Sequence, residues 1–359
     1  MKKLKYGMIG CGGIATSKHY SALADMKELV EVVAVCDIIE ERAIASADHF
    51  GISHERTFTD YKQLLALEEI DAVLVLTPNV SHSFISIDAM NANKHVLCEK
   101  PMAINSSEAQ KMIDTAKATN KVLTIAYQNR YRQDSLYLKQ ACENNELGEI
   151  YYAKAHAIRR KAVPTWGVFT DLAKQGGGPL IDIGTHALDL TLWTMNNYEP
   201  DYVVGSVFKK LSDKPEGNMF GAWDPEEVNV EDSAFGFIKM KNGATIYLES
   251  SWALNTRDVR EAQCTLHGTE AGVDMQGGLT FNDAHNGKLR NIEIDLEANE
   301  IPFFEGGKAS EECVEARVFA NSILNGTELV VTPEQAIVVT KLLEAIYESA
   351  KTGAPVYIK

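Results

Sequence analysis

No stretch of this 359-residue chain approaches the ~20 consecutive apolar residues that cross a bilayer, so no membrane partner is expected. Cysteine is sparse and scattered. The six residues Cys11, Cys36, Cys98, Cys142, Cys264 and Cys313 form no C-x-x-C pair, which reads as a reduced, cytoplasmic protein, and three of them sit in apolar strand-like contexts as small hydrophobes. Positive charge is in deficit, with 35 Lys and Arg against 50 Asp and Glu. The resulting net charge of −15 would repel nucleic acid and anionic membranes. There are no internal repeats and no low-complexity linker. The opening MKKLKYGMIG has neither a long apolar run nor a small-residue cleavage site, so it reads as a first strand and not as a signal peptide. What is present is an ordinary globular composition, 45% hydrophobic and 24% charged. The length suits two domains at ~150 residues each.

The first 126 residues alternate two textures. Runs such as VEVVAVCD (30–37), DAVLVLT (71–77), KHVLC (94–98) and KVLTIA (121–126) are almost wholly apolar, as strands of a parallel sheet covered on both faces must be. Helical stretches fall between them at 13–26, 39–50, 81–92 and 106–119. The last opens with Asn105 as N-cap and Glu108 in its first turn. This predicts a doubly wound α/β, Rossmann-type domain over 1–126. Beyond Tyr127, segments such as DSAFGFIKM and GATIYLESSWAL alternate apolar and polar positions between Asn-Gly and Gly-Thr turns. A second, α+β domain built on a mostly antiparallel sheet is expected over 127–359. Its C-terminal helix, opened by Thr332-Pro333 and closed by Gly353, can pack back on the first domain.

Gly10-Cys11-Gly12-Gly13-Ile14-Ala15 matches G-x-G-x-x-G/A between a strand and a helix. Glycines there permit a tight turn and close backbone approach to a pyrophosphate. Asp37 ends the second strand and can accept hydrogen bonds from a ribose diol while repelling a 2′-phosphate. The first basic residue after it is Arg42, so NAD is expected over NADP.

The stretch GGGPLIDIGTHALD (176–189) runs three glycines into Asp182, His186 and Asp189. Taken alone it reads as a turn and a capped helix, or as a helix face at i, i+4 and i+7 suited to a metal ion. CEKPMA (98–103) sets Glu99 and Lys100 at the carboxyl edge of the first sheet, where ligands bind in such folds.

Together GCGGIA, TPNVSH (77–82), CEKP, QNRY (128–131), GGGPLIDIGTHALD, VEDSAF (230–235) and NGATIYLESSWA (242–253) resemble the glucose–fructose oxidoreductase/inositol dehydrogenase (Gfo/Idh/MocA) family over nearly the whole chain. The resemblance implies oxidation of a secondary hydroxyl of a sugar, inositol or sugar derivative, with NAD as cofactor and no metal. It implies His186 as general base, Asp182 as its partner in orienting substrate, and Lys100 beside the reacting hydroxyl. It places Gly10, Gly12, Gly13, Ile14 and Ala15 at the phosphates and Asp37 at the ribose. Thr77, Pro78, Asn79 and His82 would lie along the dinucleotide, and Glu99 would reach a ribose hydroxyl. Tyr127, Asn129 and Arg130 would stand near the nicotinamide, Tyr127 also touching substrate.

A histidine titrating at ~6.5 can take a hydroxyl proton near neutrality, and an ammonium stabilises developing alkoxide charge. Arg159, Arg160 and Trp166, with Lys161, are further substrate-side candidates. Planar guanidinium groups and an indole face suit polyhydroxylated ligands, although a solvated basic stretch with a packed tryptophan fits equally. His156 reads as a sheet or a pocket residue. His19, His49, His54, His95, His267 and His285 read as surface or core, and Asp189 as structural.

Two other functions fit the same family. One is a hydrolase that retains NAD and cleaves a glycosidic bond through transient oxidation. The other is a non-catalytic sensor that binds dinucleotide and ligand, against which the intact Lys100, Asp182 and His186 argue. A homo-dimer or homo-tetramer is implied, formed through the open face of the second sheet.

Overall fold

The computed structural model describes residues 3–296 and 310–358. The chain forms two compact units. The first comprises the chain up to Tyr131 and a return segment ending at Ile337; the second begins at Arg132 and takes in the chain from Val338 onward. The chain therefore revisits its first unit before finishing in the second.

Among the described residues, the sheet of the first unit has strands β1 (Leu4–Ile9), β2 (Val30–Cys36), β3 (Thr57–Phe58), β4 (Ala72–Val75), β5 (His95–Glu99) and β6 (Leu123–Ala126). Their order is β3-β2-β1-β4-β5-β6, and every pairing is parallel. Strands β4 and β6 are wholly buried, as a sheet covered on both faces requires. Helices Glu40–Phe50, His82–Asn91 and Ser106–Thr119 follow the predicted positions. The last is capped by the Asn105 side chain, which accepts from Glu108 N–H. The segment predicted as one helix over 13–26 divides into a π-helical turn, Ala15–His19, and an α-helix, Tyr20–Asp25. Helix Glu311–Asn325 returns to this unit. Its Phe319 packs on Tyr6, and Arg317 pairs with Asp25 and Glu28. The strand order reverses between β1 and β4, which opens a crevice at the carboxyl ends of the strands.

The second unit carries β7 (Ile150–Ile158), β8 (Pro200–Phe208), β9 (Ser233–Met240), β10 (Thr245–Ser251), β11 (Arg260–Gly268), β12 (Gly272–Asp274), β13 (Thr280–His285), β14 (Lys288–Glu293) and β15 (Val356–Tyr357). The order is β14-β13-β12-β11-β7-β10-β9-β8-β15, antiparallel except for β10 beside β7. One face of β7 presents Ala153, Ala155 and Ala157, all buried. These small side chains let the helix Thr185–Met195 lie close across β7 and β11. That helix is buried along nearly its whole length, which fixes what precedes it.

Candidate active site

The turns leaving β1, β2, β4 and β5 share the carboxyl edge of the first sheet. Gly10 has φ +97°, and a Cβ there would stand 2.5 Å from the Leu76 carbonyl oxygen, so packing against the next strand alone demands glycine. Gly12 and Gly13 are different. A Cβ at Gly13 would meet nothing within 4 Å, and one at Gly12 only Arg42 Nη1 at 4.0 Å. The open space lies before the helical turn Ala15–His19, whose N-terminus at Ile14 has no side-chain cap. An uncapped helix N-terminus behind open glycines fits a pyrophosphate, because its N–H groups and dipole both favour an anion. Asp37 accepts from Cys11 N–H at 2.8 Å and from Ile39 N–H at 2.9 Å, one bond to each oxygen. A carboxylate has about four acceptor sites, so Asp37 pins the glycine loop and keeps capacity for a ribose diol. Thr77 and Asn79 are half-buried and Pro78 exposed in the loop after β4.

At the end of β5 Glu99 is buried. Its Oε1 lies 2.9 Å from His19 Nε2, and its Oε2 accepts from Lys100 N–H at 3.1 Å. Burial by itself would raise the Glu99 pKa. The hydrogen bond and charge of His19, with Lys18 and Lys100, overcome it and hold the carboxyl at about 2. Lys100 is half-buried, and its peptide to Pro101 is cis. A groove of about 560 Å³ lined by Lys3, Lys5, Lys27, Phe50 and Arg56 opens at the amino ends of β1 and β2, away from this edge, and we assign it no role.

Three residues expected along the cofactor or substrate are buried. His82 is 0% exposed, with both ring nitrogens against main-chain carbonyls, so it has no surface to offer a dinucleotide. Arg130 is fully buried and donates to the Val330 carbonyl and Gln335 Oε1, which ties the return segment to its unit. Tyr127 is 1% exposed and has almost no surface for a substrate. Asn129 beside them is half-buried.

In the second unit the glycine run enters a π-helical turn, Leu180–Gly184, continued by the α-helix Thr185–Met195. Buried Glu231 holds its entrance: its carboxylate accepts from Gly178 N–H at 2.8 Å, from Leu180 N–H at 3.2 Å and from Tyr347 Oη at 2.7 Å. Burial raises the Glu231 pKa, opposed by those donors. A Cβ at Gly178 would lie 2.3 Å from the Glu231 carbonyl oxygen, so here glycine is needed for close packing. From Leu180 through Thr194 every residue is buried except Asp182 and His186. Asp182 Oδ2 accepts from Trp252 Nε1 at 3.0 Å and lies 4.0 Å from Arg159 Nη1. Arg159 forms a two-pronged pair with Glu261, its Nε at 2.6 Å from Oε2. Asp189 is buried.

Arg159 thus stands beside Asp182, whereas Arg160 is exposed and Trp166 is 51% exposed against Phe169 and Phe220. Lys161 donates to the Lys214 carbonyl. His156 is a sheet residue, bonded to Glu249 and Thr265 across neighbouring strands. Among the described residues no group of three or more His, Cys, Asp or Glu side chains is arranged to hold a metal ion, and no helix is long and apolar enough to cross a membrane. Sequence reasoning missed His19, Glu231, Trp252 and Glu261. The segments VEDSAF and ESSWA contain two of them, but nothing in local spacing ties an indole just past β10 to an aspartate seventy positions away.

Comparison with known proteins identifies the family. Residues 4–127 match the family described as an oxidoreductase family with NAD-binding Rossmann fold, and residues 139–358 match its C-terminal alpha/beta domain. The chain belongs to the Gfo/Idh/MocA oxidoreductase family. It is 35% identical over 353 residues to D-glucoside 3-dehydrogenase of Escherichia coli (strain K12), which covers 98% of this chain and 97% of that protein. It is 33% identical over 256 residues to glucose-6-phosphate 3-dehydrogenase of Bacillus subtilis (strain 168), covering 70% of this chain and 68% of that protein. Levoglucosan dehydrogenase solved with NADH shares the fold at a TM-score of 0.83 and 23% identity, with 100% of both chains covered. This Gfo/Idh/MocA protein therefore joins an NAD-binding Rossmann domain to a second α/β domain in an oxidoreductase.

Proposed function

We propose that the protein is an NAD-dependent dehydrogenase that oxidises a secondary hydroxyl of a sugar, and that this hydroxyl is the 3-hydroxyl of a glucopyranoside. The observation that carries the reading is the pair Asp182 and His186, two partly exposed polar residues in a stretch that is otherwise buried. A helix packed against a sheet leaves a carboxylate and an imidazole accessible at a cost in burial, which suits groups that must reach a ligand. In the proposed reaction His186 takes the hydroxyl proton, and Asp182, held by Trp252 Nε1 and facing Arg159, accepts from a neighbouring hydroxyl and sets the ring's orientation. Lys100 of the first unit is given the role of ammonium donor to the reacting oxygen as negative charge grows. NAD, when bound, supplies the hydride acceptor. Gly12, Gly13 and the turn that follows would hold its phosphates, and Asp37 its adenosine ribose.

The names of the two similar relatives, both 3-dehydrogenases of glucose derivatives, support the choice of position. The Asp37 carboxylate supports NAD over NADP, while Arg42 Nη1 near Gly12 is the cation closest to that loop among its Cβ neighbours. All six cysteines are free, which supports a reducing, cytoplasmic setting. Tyr202, Val204, Phe208 and Phe237 share one face of β8 and β9, and Val204, Phe208 and Phe237 are exposed there, which supports a homo-dimer or homo-tetramer built through it. Sedimentation of the purified protein measures that state.

The test of function is incubation with NAD and a panel of alkyl and aryl glucopyranosides, followed by NADH absorbance and product analysis. The expected result is NADH formation with a 3-keto glucoside. Loss of the aglycone without net NADH would replace this reading by NAD-retaining hydrolysis. Binding of sugar without turnover on any panel member would replace it by sensing.

A further inference from the structure

The two residues flanking Lys100 are each held by a buried histidine. On one side His19 Nε2 lies 2.9 Å from Glu99 Oε1, while Glu99 Oε2 accepts from the Lys100 N–H at 3.1 Å. On the other side His82 Nδ1 lies 2.7 Å from the Pro101 carbonyl oxygen, and His82 Nε2 lies 2.7 Å from the Thr77 carbonyl oxygen. Neither ring has appreciable exposed surface. His19 comes from the turn after the glycine loop and His82 from the helix after β4, so the stretch 99–101 is tied to both neighbouring elements.

The His82 contacts carry a requirement on protons. A carbonyl oxygen only accepts hydrogen bonds, and a neutral imidazole has one N–H and one lone pair. A neutral ring at this position would set its lone pair against a carbonyl oxygen at 2.7 Å. Two N–H groups satisfy both carbonyls, and hydrogen bonds from a charged donor are the stronger kind. Burial is the largest influence and, with Lys100, holds the His82 pKa below the usual histidine value, against the Pro101 and Thr77 carbonyls and the Glu99 carboxylate, which act to raise it. The two carbonyl contacts at 2.7 Å are the geometry of a doubly protonated ring despite that burial.

We propose that His82 and His19 are positioning residues for Lys100. His82, doubly protonated, bridges the Thr77 and Pro101 carbonyls, and His19 fixes the Glu99 carboxylate that receives the Lys100 N–H. The inference rests on the reading of Lys100 as the ammonium donor to the reacting oxygen. It adds what holds that lysine: the loop after β4 and the loop after β5 are joined through one ring.

Two measurements test it. In the full-length wild-type protein with histidine ring nitrogens isotopically labelled, NMR at neutral pH should show one ring carrying two slowly exchanging N–H protons. That signal should vanish in His82→Gln. A His82 ring with a single N–H overturns the bridge. In steady-state kinetics with NAD and a substrate glucoside, His19→Leu and His82→Leu should each lower kcat by ~10–100-fold, the size expected for a displaced catalytic group. NAD affinity should stay within about twofold in both, the signature of an interaction made only in the transition state. His19→Gln keeps a donor near the Nε2 position and should recover to within about threefold of wild type by the same logic. Equal loss in His19→Leu and His19→Gln, or a parallel loss of NAD affinity, would overturn positioning. Lys100→Met separates the two ideas. Full activity in that variant removes the role of Lys100 while leaving the NMR result to stand alone. Loss of activity there with unaffected histidine variants removes the positioning claim only.

Discussion

Two π-helical turns, one in each unit, follow glycine-rich loops and do opposite things. In the first, Ala15–His19, the side chain of His19 is turned inward to Glu99, and the turn's N-terminus is left without a side-chain cap. In the second, Leu180–Gly184, the N–H groups at the entrance are occupied by Glu231, and the side chain of Asp182 is left partly exposed with His186 after it. In the proposed function the first turn offers main chain to a ligand and the second offers side chains. A π turn shifts the residues after it relative to an α-helix and recurs at functional sites, which suits both uses. The difference explains why the glycines differ too. Gly12 and Gly13 face open space, whereas Gly178 faces the Glu231 carbonyl at a distance no Cβ could tolerate.

The sharpest way to separate the two turns is to remove the side chain that the second one shows. Asp182→Ala should lower turnover of a glucoside by ~10²–10³-fold, as loss of a group that orients substrate and transition state does. NAD affinity, measured by cofactor fluorescence, should not change. A matching loss of NAD affinity would mean that the second turn also serves the cofactor. Next in size is Trp252→Phe, which keeps the packing but takes the indole N–H from Asp182. It should cost about tenfold in kcat/KM, the equivalent of one hydrogen bond to a charged group. Asp37→Asn keeps one acceptor for the glycine loop and removes the charge. The preference for NAD over NADP should fall by about tenfold, corresponding to ~1.4 kcal/mol; an unchanged ratio of kcat/KM values would leave Asp37 as a loop anchor only.

The smallest expected effect is on stability against acid, and it too contrasts the turns. Glu99 is held at about 2 by His19 and the nearby lysines against the cost of burial. Its folded value lies below the ~4.3 of a free glutamate. The stabilisation it provides is therefore complete above that value and is lost as pH falls toward 2. The gap in unfolding midpoint between wild type and Glu99→Gln should be widest above pH ~4.3 and close below it. Glu231 is shifted the other way by burial, so its ionisation weakens the fold as pH rises and no such acid-side loss should trace to it. A gap for Glu99→Gln that persists unchanged to low pH would contradict the buried ion pair.

Much of this was legible in the sequence where local chemistry decides structure. Apolar runs gave β1, β2, β4, β5 and β6, and Asn105 with Glu108 marked a helix start. The two-residue β3 has no apolar run to reveal it. Neither π turn was legible, because a single wider turn leaves no period in a short stretch; both segments read as α-helix. Within the candidate site, motif positions identified Asp182 and His186, but a motif cannot distinguish a residue that faces a ligand from one that braces it. His82, in TPNVSH, proves to be wholly enclosed, and His19, which reads from sequence as surface or core, proves to grip Glu99. Trp252 reaches Asp182 only because β10 ends beside the helix, a relation set by tertiary packing and invisible to spacing.

The central claim is the division of labour between a turn that binds cofactor through its main chain and a turn that performs proton chemistry through its side chains. His186→Ala tests it most directly, with NADH binding followed by fluorescence and turnover of a 3-hydroxyl glucoside followed in the same preparation. The account predicts an NADH dissociation constant within about twofold of wild type and a kcat lower by ~10²–10⁴-fold, the contribution of a general base. Turnover that survives, or NADH binding that falls with it, would contradict the account.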